Sequence, residues 1–230
     1  MGIYERLVMK KILAIGGAVI KTAQKELIEV IKQDKVEMLI HNGGSIFHDF
    51  QIPTDKNLEG HSYPIEKLLE SLDWLKPTSN LLWDWLWTSI KCPDENRSHL
   101  TPEGSVTRLC EDMNIPVLLF TTPGADFWHI LKLFTQDWDL LSDKSHLGFL
   151  TLFARFKKEN FHFVNMGSAV MHPEIFIKAI ALAKPNLKNF KADVVDFKEM
   201  YRPRTRVAQF GDYYTITHKQ YLEYLLKGKV

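Results

Sequence analysis

Cysteine is scarce: Cys92 and Cys110 are the only two in 230 residues, and their spacing is not that of a metal-binding pair. A chain of this length can bury enough apolar surface to fold without a disulfide, so reduced thiols and a cytoplasmic location are expected. Charge of one sign is also lacking. Lys+Arg 29 against Asp+Glu 28 leaves +1, which gives no general pull toward nucleic acid or anionic membranes. No run approaches the roughly 20 apolar residues of a spanning helix, and the amino terminus, with Glu5, Arg6, Lys10 and Lys11, lacks the apolar core of a signal peptide. There is no H-E-x-x-H pair, no G-x-S-x-G elbow, no G-x-G-x-x-G fingerprint, no low-complexity tract and no clear repeat.

What is present is a recurring pattern. Leu13-Ala14-Ile15 ends in Gly16-Gly17, and Lys21 to Lys32 then places Ala23, Leu27, Ile28 and Ile31 at helical spacing. Val36 to Ile40 breaks at His41-Asn42-Gly43-Gly44. Ile115 to Phe120 runs into Thr121-Thr122-Pro123-Gly124-Ala125-Asp126, and Phe161 to Val164 runs into Asn165-Met166-Gly167-Ser168-Ala169, with a helix from about Pro173 to Lys184. Ala192 to Phe197 reads as a fifth strand. Short unbroken apolar strands alternating with helices indicate a doubly wound α/β domain with a mainly parallel sheet covered on both faces. Right-handed crossovers bring all the strand-end turns to one edge, where ligands bind in such folds. Residues 1–230 read as one domain.

An insertion at about 62–105 departs from the pattern. Ile65, Leu68, Leu69 and Leu72 make one amphipathic helix, and a second carries Trp83, Trp85 and Trp87, rings that more often fill a core or subunit contact than cage a ligand. Cys92 to Ser105 reads as a polar surface loop before a helix bearing Val106, Leu109 and Cys110. A terminal helix around Lys219 to Lys229 sets Tyr221, Leu222, Tyr224 and Leu225 against the core.

Chemistry is expected at the turns. Glycines there admit a close backbone approach, and a following helix amino terminus attracts phosphate. Gly16, Gly17, Asn42, Gly43, Gly44, Gly124, Gly167 and Ser168 are the candidate dinucleotide cradle; tight βα turns alone are the plain alternative. His41, His48 with Asp49, Asp126 with His129, and His172 fall in or just beyond the same turns. Histidine there suits a proton carrier or a metal ligand, so a metal-dependent hydrolase using His41, His48, Asp49, Asp126 and His172 stays open beside a hydride-transfer enzyme. Tyr201-Arg202-Pro203-Arg204-Thr205-Arg206 would, if extended, point three guanidinium groups one way to receive phosphate or carboxylate. They would equally serve a subunit boundary.

Taken in order, these turns resemble the bacterial deoxyhypusine synthase-like proteins. Gly16-Gly17-Ala18-Val19-Ile20-Lys21 is similar to the family's first turn, and Leu39 to Phe50, with His48-Asp49-Phe50, to a turn that contacts cofactor. Ile115 to Asp126 is similar to a segment whose Asp faces nicotinamide, and Val164 to Pro173 and Ala192 to Arg204 resemble the last two strand ends. The resemblance implies a Rossmann-like fold, bound NAD, and a homo-oligomer, dimer or tetramer, with sites between subunits. It also implies a difference. The synthase's imine-forming lysine falls where Gly167-Ser168-Ala169-Val170-Met171-His172 has His172, and an imidazole cannot form that imine. The expectation is therefore NAD-dependent hydride transfer on a small amine, amino acid or similar metabolite, not deoxyhypusine synthesis. In it His172, Asp126, His48 and Asp49 are catalytic, and Arg202, Arg204 and His129 hold substrate. A non-catalytic nucleotide-binding or assembly protein is the alternative.

Overall fold

The computed structural model describes residues 9–50, 81–90, 98–121 and 138–228. Six strands form one all-parallel sheet in the order β3-β2-β1-β4-β5-β6. They are β1 (Lys11–Ile15), β2 (Val36–Asn42), β3 (Val117–Phe120), β4 (Phe161–Met166), β5 (Phe190–Asp196) and β6 (Tyr213–Thr215). The helices are α1 (Gly17–Lys32), α2 (Gly43–Asp49), α3 (Val106–Asp112), α4 (Trp138–Lys157), α5 (Met171–Ala183), α6 (Tyr201–Arg206) and α7 (His218–Leu226), and residues 81–90 are also helical.

Unbroken apolar strands are dictated by the layering. Alternate residues of β1 point to opposite faces: Leu13 and Ile15 join a core with Val19, Leu27, Val164, Met166 and Tyr221, under α1, α3 and α7. Ile12 and Ala14 join a second core with Phe156, Phe161, Phe163 and Phe176, under α4 and α5. Each aliphatic side chain fully withdrawn from water contributes roughly 1.5–3 kcal/mol, so an unpartnered polar substitution on either face forfeits a contribution of that size. The second core is an aromatic pile: Phe156 stacks on Phe161 at 4.4 Å, and Phe163 lies tilted against Phe176 at 4.6 Å. A third, smaller cluster packs α2 against residues 81–90 around Phe50 and Trp85. Within it Trp85 is buried and Trp83 half-buried, whereas Trp87 is exposed.

Three expectations are corrected. Tyr201 to Arg206 is not extended but the helix α6; Pro203 falls in its first turn, where the ring breaks no intrahelical bond. Arg202 and Arg206 therefore lie one turn apart and both pair with Glu174, whereas Arg204 pairs with Glu199. Tyr224 on α7 faces solvent rather than core. The first helix begins at Gly17, four residues earlier than its periodicity indicates, with a non-helical residue at Ala23 (φ −148°) between its two parts.

Candidate functional site at the carboxyl ends of the strands

The chain order reverses between β1 and β4, which run side by side although α1 to α4, β2 and β3 separate them in sequence. Their ends are bound by Gly16 N–H, which donates to Met166 O at 2.8 Å, and the end of β4 is tied in turn to β5 by Gly167 N–H, which donates to Val195 O at 3.1 Å. Contact here is so close that a Cβ on Gly16 would come within 2.0 Å of the Gly167 carbonyl oxygen. On Gly17 it would meet the Gly44 carbonyl at 3.2 Å and His48 at 3.0 Å. Gly167 takes φ +65°, the left-handed region, with the His218 ring where a side chain would go. The bends at Gly16-Gly17, Gly43-Gly44 and Gly167-Ser168 thus meet at one edge. Gly124, Asp126 and His129 lie outside the described residues.

The polar groups at this edge divide into two kinds. Some are fully used in holding the bends. Asn42 caps α2, accepting from Ser45 N–H at 2.9 Å, while Ser45 Oγ accepts from Asn42 N–H. His41, completely buried, shares hydrogen bonds with Ser45 at 2.9 Å and Thr107 at 3.3 Å, and burial lowers its pKa to about 3. Asp49 is buried as well; its oxygens accept from Val106 N–H (2.7 Å), Thr107 N–H (2.8 Å) and the Thr107 hydroxyl (2.6 Å). Desolvation raises its pKa against those three donors. Asp49 therefore anchors the amino terminus of α3 with both oxygens committed. His48, half-buried, lies beside Gly17.

The second kind is unpaired. Asn165 Oδ1, both ring nitrogens of His172 and both of His218 are buried without a well-formed hydrogen bond, the His172 ring having only a loose contact with the His41 backbone. All three residues flank one bend. Asn165 Nδ2 donates to Ser168 O at 3.0 Å, His172 N–H donates to Ser168 Oγ at 3.3 Å, and the His218 ring abuts Gly167. His172 has its pKa lowered to about 3 by burial, with the adjoining His41 backbone pulling the other way. His218 is lowered too, by burial against the opposing field of Asp196. Both imidazoles are neutral at physiological pH and offer one donor and one acceptor each. Neither Asn165 nor His218 was marked by the sequence; His218 follows the helix cap Thr217, which accepts from Gln220 N–H and is the sole local signal there.

Among the described residues no group of three or more His, Cys, Asp or Glu side chains is placed to hold a metal ion. No helix among them is long and apolar enough to cross a membrane.

A parallel sheet in this strand order, covered on both faces, with ligand-type bends at its reversal point, is a Rossmann-like doubly wound fold. Solved structures with the same architecture include AgrE in ternary complex with ornithine and NAD+ (TM-score 0.62, 14% identity), which matches over 98% of this chain and 31% of its own. A conserved LOR/SDH-type protein from Methanococcus maripaludis S2 (0.59, 14%) matches over 98% of this chain and 64% of its own. A candidate deoxyhypusine synthase from Entamoeba histolytica (0.53, 9%) matches over 96% and 74%. The chain thus spans less than two thirds of the first two proteins. At these identities the likeness is one of fold, and at that level it bears out the resemblance seen in the turns. No family model matches the sequence, and no curated protein matches it.

Proposed function

We propose that this chain is an NAD-binding enzyme that oxidises or reduces a small amine, amino acid or similar polar metabolite by hydride transfer. One observation carries the reading: five buried side-chain nitrogen and oxygen atoms of Asn165, His172 and His218 are left without a well-formed hydrogen bond around a single bend at the reversal point. An unsatisfied buried polar group costs about 1–3 kcal/mol. Proteins retain such groups chiefly where something else completes them. AgrE, about a third of which (31%) shares this fold, is known in ternary complex with ornithine and NAD+, which supports the same kind of ligand.

These residues fit a dinucleotide in a particular way. Gly16, Gly17 and Gly167 let the bends approach one another, and the backbone of Gly16 to Ala18 and Gly43-Gly44 forms the rim that would meet the pyrophosphate. Bound NAD supplies a ring that accepts or gives hydride. His172, uncharged and enclosed, serves there as a hydrogen-bonding group that orients the ligand and not as a proton-abstracting base. His48 and Asp126 are assigned to proton exchange and His129 to the substrate. Asp49 holds α3 and takes no part. Arg202 and Arg204 sit in exposed ion pairs worth little in themselves, so a substrate carboxylate can take them over. Assembly as a homodimer or homotetramer belongs to the same reading.

Calorimetric titration with NAD is the test. Saturable binding is expected, with a stabilisation of about 2.7 kcal/mol at a hundredfold excess over Kd; no binding at millimolar cofactor removes the proposal. Protein that binds NAD yet never reduces it across a panel of amines and amino acids would instead be a nucleotide-binding or assembly protein.

A further inference from the structure

We propose that the outward face of α4 is the seat of a second copy of this chain, the two helices packed antiparallel about a two-fold axis near Leu150, with Asp143 of each copy opposite Lys157 of the partner subunit. The inference gives a face to the assembly included in the reading above, and the observations behind it are independent of NAD. α4 covers one side of the sheet, packed on β3 and α5, and its inward residues Leu152 and Phe156 are buried. Its exposed positions include Asp139, Asp143, Leu147, Leu150, Ala154 and Lys157, with Lys158 just past the last turn. They recur every three or four residues and so form one stripe along the helix. Between Asp143 and Lys157 the exposed residues are His146, Leu147, Leu150, Thr151 and Ala154, with no acid, lysine or arginine among them. Leu147 and Leu150 are 44% and 45% exposed. On the other side of the sheet α1 carries a charge on each turn of its exposed face, at Lys21, Lys25, Glu29 and Lys32. A helix that faces only water has that pattern, and the middle of α4 lacks it.

The charges at its two ends identify the occupant. Acids stand at the amino-terminal end of the stripe and lysines at its carboxyl-terminal end, so an identical helix laid antiparallel across a two-fold axis sets each sign against its opposite. Parallel packing would set acid on acid and lysine on lysine. Leu150 is the midpoint in sequence between Asp143 and Lys157; with the axis there, Leu150 meets its own counterpart and Leu147 reaches Phe153 of the partner subunit. Among the described residues the side chains of Asp143 and Lys158 form no ion pair or hydrogen bond, and that of Lys157 only lies over the Phe153 ring at 5.4 Å. Both signs are therefore free to pair across the axis. The stretch from Asp143 to Lys157 is about 21 Å long at 1.5 Å per residue, short of the roughly 800 Å² per partner of a stable interface if it acted alone. α5 runs beside α4 in the same direction and adds Ala181 and Leu182, the latter 61% exposed. Two such pairs make a four-helix layer with a continuous apolar centre.

Analytical ultracentrifugation of the full chain tests this, with NAD calorimetry on the wild type alongside. Wild type is expected at an even multiple of the 26.7 kDa chain mass. Leu150→Glu, which sets two like charges against each other at the axis, should halve that mass, with association weakened at least about a hundredfold; Leu147→Glu replaces it if circular dichroism shows that the first variant fails to fold. Asp143→Lys alone should weaken association about tenfold, and adding Lys157→Glu should bring it back to within about threefold of wild type. A wild-type chain that stays monomeric up to about 100 μM overturns the inference. So does a Leu150→Glu variant that associates as wild type does, or a charge exchange that gives no recovery. NAD binding by the wild type decides the proposed function and is read separately, so the two failures are distinguishable.

Discussion

The two ends of the sheet differ in how most of their buried polar groups are paired, although the Tyr221 hydroxyl, in the field of Asp193 and Asp212, is also without a partner. At the amino ends, register sets Lys11, His162 and Lys191 side by side on one face of β1, β4 and β5. Asp193 serves two of them, bonded to His162 at 2.8 Å and to Lys191 at 2.9 Å, and it also accepts from Asp212 N–H. Lys191 reaches Asp212 in turn, at 2.8 Å. Burial pushes the Asp193 pKa up, but His162 and Lys191 pull it further down, leaving it below the usual carboxylate value. Burial likewise tends to lower Lys191, and its two carboxylates more than reverse this. At the carboxyl ends, His172, His218 and Asn165 Oδ1 are as deeply buried without a well-formed hydrogen bond. Completed networks hold a fold together, whereas incomplete ones await a ligand. A cavity of about 250 Å³ beside His162, Lys191 and Asp212 lies at the completed end, so the opening alone does not mark the functional edge.

If that contrast is right, the largest effect comes from breaking the completed network. Asp193→Ala leaves Lys191, and Lys11 close by, without their buried counter-charge. Removing one partner of a buried pair costs about 3–5 kcal/mol, and urea unfolding at pH 7 should show a loss of that size. A loss below about 1 kcal/mol would mean that the amino-end cluster does not hold the sheet.

Acidification should act next, through the histidines. His41 and His172 have folded-state pKa values near 3, against about 6.5 in an unfolded chain. Below pH 6.5 the unfolded state takes up protons that the folded state refuses, so stability falls as pH falls. Each histidine should lose about 2 kcal/mol between pH 7 and pH 5, from 1.36 kcal/mol per unit. The Asp193 contribution is present above the ordinary aspartate pKa near 3.8 and is lost only below it, whereas His162 and His218, whose pKa values burial also lowers, add to the loss in this window. Unfolding measured at pH 7, 6 and 5 checks the slope, and a flat profile would mean that these rings are already protonated or exposed.

Much of this contrast was legible in sequence on one side only. Five of the six strands follow from short apolar runs, and β1, β2 and β4 stop at the glycines whose bends meet. β6 was not legible: Tyr213-Tyr214-Thr215 is three residues at a sheet edge, too short and too polar for periodicity to register. The arginine segment was misread because alternating charge suits a strand and a first-turn proline suits a helix, and only packing against Glu174 decides between them. Site residues were legible as positions but not as roles. Asp49 and His172 both stand just past a strand end, yet Asp49 meets α3, brought in from 57 residues away, whereas the His172 ring forms no such bond. His218 is 51 residues from the glycine that it touches, and nothing local marks it.

The finest test exchanges one histidine at each end for leucine. At the amino end His162→Leu deprives Asp193 of a bond within a network and should destabilise by about 2 kcal/mol. At the carboxyl end His172→Leu removes two unsatisfied nitrogens and replaces them with an apolar group of similar size. Its stability should stay within about 1 kcal/mol of wild type or rise, and its loss on acidification to pH 5 should shrink by about 2 kcal/mol, the share of His172, while His41, His162 and His218 still titrate. NAD binding or turnover should nevertheless fall. A destabilisation of His172→Leu as large as that of His162→Leu would show that the ring is a packed element of the core, and would deny the carboxyl edge its separate character.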